Sequence, residues 1–329
     1  MPRIGLALLV SILIATSLSA QNNRSAVSLT GNDAATCTVP DPCRTFDVAI
    51  SKTNAGGEVI VLSSAGYGPF TVTKSVSIIS PPAYHAALAP TSGDAITVNV
   101  DNALVILRGL TLNGSLGGVN GITFSGAATA SNTRVYVENC VISGFSNNGV
   151  NFIRSGALFI SNVVTRENTY YGILVDGSPG LPSTARIDHA SLIANLRGLV
   201  VNNATVSVQN SVASGNPNVG FWSYAYSAGA VAVLSADNCD SSLNGWGFFV
   251  GFGAGTADLT VSNSVASANQ YDGISSDANG TVRVSSNTVS RNVNGLNQRA
   301  GVFESRGDNT VRGNTSAETL GTITTFAPK

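Results

Sequence analysis

Apolar residues along this chain fall into short alternating runs, not helical stripes. Arg134–Val137, Ala157–Ile160, Thr205–Val208 and Leu259–Val261 each place apolar residues at every second position, the pattern of half-buried strands. Gly, Asn, Ser and Thr fill the gaps between the runs, and the helix formers Glu and Lys are scarce. The runs recur in register. A glycine followed by an apolar residue returns at Gly121-Ile122, Gly149-Val150, Gly172-Ile173, Gly198-Leu199, Gly220-Phe221, Gly247-Phe248, Gly273-Ile274 and Gly295-Leu296, at intervals of 22 to 28 residues. Two further columns keep step with it: Asn139, Asn162, His189, Asn210, Asn238, Asn263 and Ser286, then, six residues on, Phe145, Asn168, Asn195, Asn216, Asn244, Asn269 and Asn292.

A fixed period of this size marks a solenoid. A coil of about 25 residues wraps three short strands around a narrow core, and successive coils stack about 4.8 Å apart with equivalent side chains in ladders. The residue after each repeated glycine is therefore a core column. Asparagine suits the turns because it tolerates left-handed backbone and its amide can bond its own copy one coil away. The leucine-rich horseshoe shares the period but needs an L-x-x-L-x-L-x-x-N repeat, which is absent. Near the N-terminus Pro42–Ile50 reads as a short amphipathic helix with Phe46, Ala49 and Ile50 on one face, stopped at Gly56-Gly57. Such a helix is the expected lid over the exposed edge of a first coil, and Glu58–Leu62 follows it as a strand.

The segments Arg44–Ser51, Gly56–Leu62 and Gly66-Tyr67-Gly68, followed by N-x5-N-x3-G-apolar coils, resemble the right-handed parallel β-helix proteins of the pectate-lyase-like superfamily over residues 40 to 315. The resemblance implies an all-β, single-domain right-handed parallel β-helix of about ten coils with an N-terminal helical cap. It implies no single chemistry, because that superfamily holds polysaccharide lyases, polygalacturonases, pectin esterases, phage tailspikes and exported repeat proteins without known activity. The division expected is a leader over 1–20, a cap over 21–57, the β-helix over 58–315 and a C-terminal cap or tail over 316–329.

Charge and composition narrow the partners. The chain carries 17 Lys+Arg against 18 Asp+Glu for a net charge of −1, without the basic stripe a nucleic acid needs. A hydrophobic share of 43% at that charge excludes intrinsic disorder. Arg3, the apolar run Ile4–Leu18 and the small residues Ser19 and Ala20 read as an export signal cut after Ser19 or Ala20. Its apolar run of about 15 residues is short of the roughly 20 that span a bilayer. The expectation is a secreted or periplasmic protein with no membrane span after signal removal.

Candidate chemistry is sparse. Calcium-dependent lyases need clustered carboxylates, whereas the column Glu138, Ser161, Asp188, Gln209, Asp237, Ser262 and Ser285 sets its acids on alternate coils, about 10 Å apart. Calcium would need oxygens at about 2.4 Å, and Asp240 near Asp237 improves the set only modestly. No metal or cofactor is expected. The hydrolase signatures Asn-Thr-Asp, Asp-Asp, Gly-His-Gly and Arg-Ile-Lys are missing, as is an esterase set of two Asp and one Arg on neighbouring coils. The weak catalytic candidates are Arg166, Asp188 and His189, on adjacent coils beside the inserted loop Gly177–Ser183. His189 also has a plain reading as a turn residue in place of Asn.

The aromatics are more telling. Two residues after the repeated glycine, on the outward side, stand Thr123, Asn151, Leu174, Val200, Trp222, Phe249 and Ser275. Trp222 and Phe249 are therefore expected as surface rung neighbours, with Tyr224 and Tyr226 continuing the strip and Trp246 close by. Such a strip stacks on sugar faces or is covered by loops or a second copy. Cys37 and Cys43 flank a Pro-Asp-Pro turn and are expected to form a disulfide. Cys140 and Cys239 lie four coils apart, about 19 Å, and are expected as separate buried thiols. Together these point to a non-catalytic exported β-helix that binds a polysaccharide or cell-surface glycan through Trp222, Tyr224, Tyr226, Trp246 and Phe249. The alternatives are a divergent polysaccharide lyase or hydrolase, and an oligomeric adhesive scaffold.

Overall fold

A computed structural model describes residues 22–126, 132–177 and 180–326; the expected leader, part of the Gly177–Ser183 loop and the last three residues lie outside them. Each coil runs through three faces. The first and second meet at a sharp corner and form one 22-stranded sheet, while the third is an 11-stranded sheet with one strand per coil. Every strand pairing in the two sheets is parallel, as in Arg134–Glu138 on Ala157–Arg166 and Ile122–Phe124 on Val150–Phe152. The result is the expected right-handed parallel solenoid. Ala157–Arg166 and Ser183–Ile193 are long enough to pass through the corner and serve both faces.

The two asparagine columns divide the two properties of that residue between them. All seven members of the first column, His189 and Ser286 included, adopt positive φ between 50° and 56°. They are the left-handed corner between the first and second faces, where Asn is least strained. The second column is buried and forms an amide ladder. Asn168 Nδ2 donates to Asn195 Oδ1 at 2.9 Å, Asn216 to Asn244 at 2.8 Å, Asn269 to Asn292 at 2.9 Å and Asn292 to Asn314 at 3.0 Å. Each Oδ1 also accepts the backbone N–H of the preceding coil's column residue, as Asn168 does from Phe145 at 3.1 Å and Asn216 from Asn195 at 3.0 Å. The ladder thus satisfies turn groups that burial would otherwise leave unpaired.

The repeated glycine follows from the ladder. A Cβ on Gly149, Gly172, Gly198, Gly247 or Gly273 would lie 2.4 to 2.9 Å from the carbonyl oxygen of the next coil's glycine, and close to the ladder amide beside it. Only glycine lets the coils approach this closely. The apolar residue after it points inward: Ile122, Val150, Ile173, Leu199, Phe221, Phe248, Ile274 and Leu296, with Ile96 on the coil before, form one unbroken rung column, all buried. Each such side chain contributes about 1.5–3 kcal/mol of burial.

The N-terminal lid is present as the helix Phe46–Lys52, which buries Phe46, Ala49 and Ile50. Phe46 packs on Tyr67 and Phe70 with ring centroids 5.1 and 4.7 Å apart. Gly56-Gly57 does not stop this helix. The turn to strand comes at Thr53, and the glycine pair lies inside the strand Thr53–Val61. The Thr53 hydroxyl donates to Ala49 O at 2.6 Å and so occupies the last turn. Cys37 and Cys43 are bonded, Cα to Cα 4.6 Å, and Cys140 and Cys239 are free and buried. Strand pairing exceeds the expected 58–315 at both ends: Asn22–Val27 pairs with Thr53–Val61, and Ala317–Leu320 and Thr324–Thr325 still join the sheets. At the last coil the Glu318 carboxylate takes the place of a further ladder residue, accepting from Gly313 N and Asn314 Nδ2 at 2.8 and 2.6 Å.

Candidate functional site

On the outer side of the third face, Thr97, Thr123, Asn151, Leu174, Val200, Trp222, Phe249, Ser275 and Asn297 are rung neighbours in that order. Polar residues hold both ends of the column, and the middle coils turn apolar and then aromatic. There a second hydrophobic cluster forms outside the solenoid core, from Val200, Val219, Trp222 and Phe249 with Tyr171, Leu174, Tyr224 and Trp246 packed against it.

All five aromatic residues expected to act together are in one group. Trp222 lies 5.9 Å from Phe249 and 4.4 Å from Tyr224, Tyr224 lies 5.9 Å from Tyr226, and Trp246 lies 5.9 Å from Phe249, centroid to centroid. The group is less open than the sequence suggested. Trp222 and Phe249 retain only 9% and 7% of their surface, because the rings of the cluster shield one another and Arg197 lies over Trp222. The Arg197 guanidinium sits 5.1 Å from the Trp222 ring and 5.5 Å from Tyr171, and Arg299 sits 6.0 Å from Trp246. The exposed parts are Tyr226 and Phe252, at 65% and 68%.

Between Trp222, Trp246, Phe249, Phe252, Arg197 and Arg299 opens a groove of about 330 Å³. Its two cations differ. Arg299 is neutralised by Asp272 at 3.5 Å and Asp277 at 3.4 Å. Arg197 donates to Asn218 Oδ1 at 3.1 Å and reaches the Tyr171 hydroxyl at 3.4 Å, and no carboxylate of the described residues pairs with it. Trp222 Nε1 donates to Gly251 O at 3.3 Å, whereas Trp246 Nε1 is buried without a partner, a donor in want of an acceptor. Burial, then the neighbouring Tyr226, pushes the Tyr224 phenol above its usual range, so it stays a neutral hydroxyl. At the N-terminal margin burial also raises the Asp176 carboxyl, despite the amide of Asn202 that donates to it.

The weak catalytic candidates do not converge. His189 Nδ1 meets Asp188 Oδ1 at 2.9 Å, and Asn210 donates to the same oxygen at 2.8 Å. The Asn210 amide, with His189, holds the Asp188 carboxyl below the usual carboxylate range, the opposite of what a general acid requires. Arg166 lies across from Ile193, beyond the corner and on the second face. His189 has the corner φ of its column, 53°. Among the described residues no three His, Cys, Asp or Glu side chains gather in a way that could hold a metal.

Sequence reasoning did not find Arg299, Phe252 or Tyr271, the last of which stacks on Trp246 at 4.4 Å. Alignment of the residues before each repeated glycine (Tyr171, Arg197, Val219, Trp246, Asp272) would have placed Arg197 in the same row as Trp246.

Residues 90–237 match the family model described as right handed beta helix region. No curated protein matches the sequence. Among solved structures the A-module of a mannuronan C-5 epimerase from Azotobacter vinelandii superposes with a TM-score of 0.63 at 15% identity, covering 83% of this chain and 90% of that one. A pectate lyase gives 0.55 at 16% identity over 94% and 78% of the two chains. Tailspike protein 2 of Escherichia coli O157:H7 bacteriophage CAB120 gives 0.54 at 11%, covering 81% of this chain and 39% of the tailspike. At such identities the likeness is one of fold: the chain is a right-handed parallel β-helix.

Proposed function

We propose that this is an exported β-helix that binds a polysaccharide or cell-surface glycan, without turning it over, in the groove around Trp222 and Trp246. The observation that carries this reading is the second hydrophobic cluster on the outer side of a sheet whose folding core lies inside. Nothing in the solenoid repeat calls for rings there, since the coils toward either end carry Thr, Asn and Ser at the same column and Leu174 and Val200 fill it without a ring. Flat rings edged by hydrogen-bond donors suit the apolar face and the hydroxyls of a sugar. The unpaired Arg197 adds a preference for a sugar chain carrying negative groups. The epimerase and the lyase named above bear the names of polysaccharides, mannuronan and pectate, and the same kind of ligand fits this groove. The Cys37–Cys43 bond favours an oxidising compartment, and among the described residues no helix is long and apolar enough to cross a membrane.

Both tryptophans of the chain stand in the groove, so intrinsic fluorescence reports on it directly. Titration with acidic and neutral polysaccharides is expected to shift and saturate that emission, with the polymer recovered at its original length. Shortening of the polymer would favour the lyase or hydrolase alternative. Unchanged emission with every polymer, in a protein that elutes as an oligomer, would favour the adhesive scaffold.

A further inference from the structure

The outer side of the first face carries a second group of side chains that the aromatic groove leaves unused. Tyr136 and Phe159 are rung neighbours whose rings stack 4.4 Å apart at 9°. Arg186 and then Ser207 continue their column on the next two coils, and beside it run Glu138, Ser161, Asp188 and Gln209. The short serines between longer neighbours leave a depression of about 300 Å³ across four coils.

Its polar groups fall into two kinds. Glu138 and Asp188 are fixed by partners outside the depression, Glu138 by Arg108 and Asp188 by Asn210 and His189. The side chains of Ser161, Arg186, Ser207 and Gln209 make no hydrogen bond or ion pair with any described residue. A pair of pre-set acceptors thus flanks a patch of unused donors and hydroxyls, against a wall of two stacked rings. Two rungs separate Glu138 from Asp188, about 10 Å, with Ser161 as the floor between them. Charge is balanced at the patch: Arg108, just outside it, offsets Glu138, and Arg186 offsets Asp188.

We propose that this depression is a second carbohydrate site, on a different face from the groove, taking one neutral sugar unit. Sugar hydroxyls donate to the fixed carboxylates and accept from Arg186 and Gln209, while C–H groups of the ring lie against Phe159. A ligand with both donors and acceptors and no net charge satisfies all of these at once. An anion would face Glu138 and Asp188 with only Arg186 unengaged. The site stands whether or not the aromatic groove binds anything.

Saturation-transfer NMR of the mature protein with methyl glucoside, methyl galactoside, methyl mannoside and, as the charged control, methyl glucuronide tests this. At least one neutral glycoside is expected to receive saturation. Arg186→Ala, at an exposed position, should weaken its binding about tenfold, the loss of one charged hydrogen bond. All measurements are made in the Trp222→Ala background, so that transfer through the aromatic groove does not enter, and there Ser161→Trp should fill the floor and abolish binding; thermal midpoints confirm that each variant is folded. No transfer to any neutral glycoside would overturn the proposal. So would transfer undiminished by Arg186→Ala, or a preference for the glucuronide in that background.

Discussion

Phe248 and Phe249 are the same residue, consecutive in the chain, and serve opposite sides of one sheet. Phe248 is fully buried in the inward column, where every coil from Ile96 to Leu296 supplies an apolar side chain. Phe249 belongs to an outward column that runs from Thr97 through Trp222 to Asn297. The inward column is uniform because the stack tolerates no cavity. Four successive coils, with Leu174, Val200, Trp222 and Phe249, make the outward column apolar and then aromatic, where the coils toward either end carry Thr, Asn or Ser. Uniformity down a ladder therefore marks what the fold needs, and a local departure from it marks what the protein uses.

Phe248→Ala tests the first half of that contrast. It should cost about 3–5 kcal/mol as a cavity in a confined core, read from the denaturation midpoint, with sugar binding of the remaining folded protein unchanged. Asn216→Ala comes next, at about 2–3 kcal/mol, because Asn195 N–H loses a buried acceptor and the rung below loses its amide. Trp222→Ala should reverse the pattern, with about 1–2 kcal/mol of stability lost from a cluster free to collapse toward solvent, but binding weakened more than tenfold. Smaller still is the effect of acid on the corner turns. Asn210 holds Asp188 below the usual carboxylate pKa, and Ser262 and Asn263 do the same for Asp237. Their contribution is therefore complete above the unfolded value of about 3.9 and is lost as pH falls through the lower folded values. Hydrogen exchange at residues 188–190 and 237–239 should quicken only in that acid range. His189→Asn, which restores the corner residue of its column, should change stability by no more than about 0.5 kcal/mol and leave binding intact.

The fold was legible because the sequence repeats what geometry repeats. Gly-apolar pairs gave the inward column, and the spacing of the two Asn columns gave corner and ladder, although the division of labour between them needed φ angles and amide partners. The site was legible only in part. Trp222 and Phe249 could be placed as neighbours by counting from the glycines, but their burial could not, since it depends on Arg197 and on neighbouring rings reaching across coils. Arg299 follows a loop whose length varies from coil to coil, which breaks the register by which a column is counted. Tyr136 and Phe159 lay in two runs already recognised as strands, Arg134–Val137 and Ala157–Ile160, and aligning those runs would have paired them. No such alignment predicts the depression beside them, which exists because Ser161 and Ser207 are short where their neighbours are long.

The central claim is that the outward aromatic column binds a glycan. Affinity electrophoresis of the mature protein and its Trp222→Ala variant, in gels cast with acidic and with neutral polysaccharides, tests it most directly. Retardation of the wild type in at least one gel, with the polymer stain intact and the variant migrating as in polymer-free gel, is the predicted result. Equal migration of the two proteins in every gel, or a cleared zone in the polymer, would contradict it.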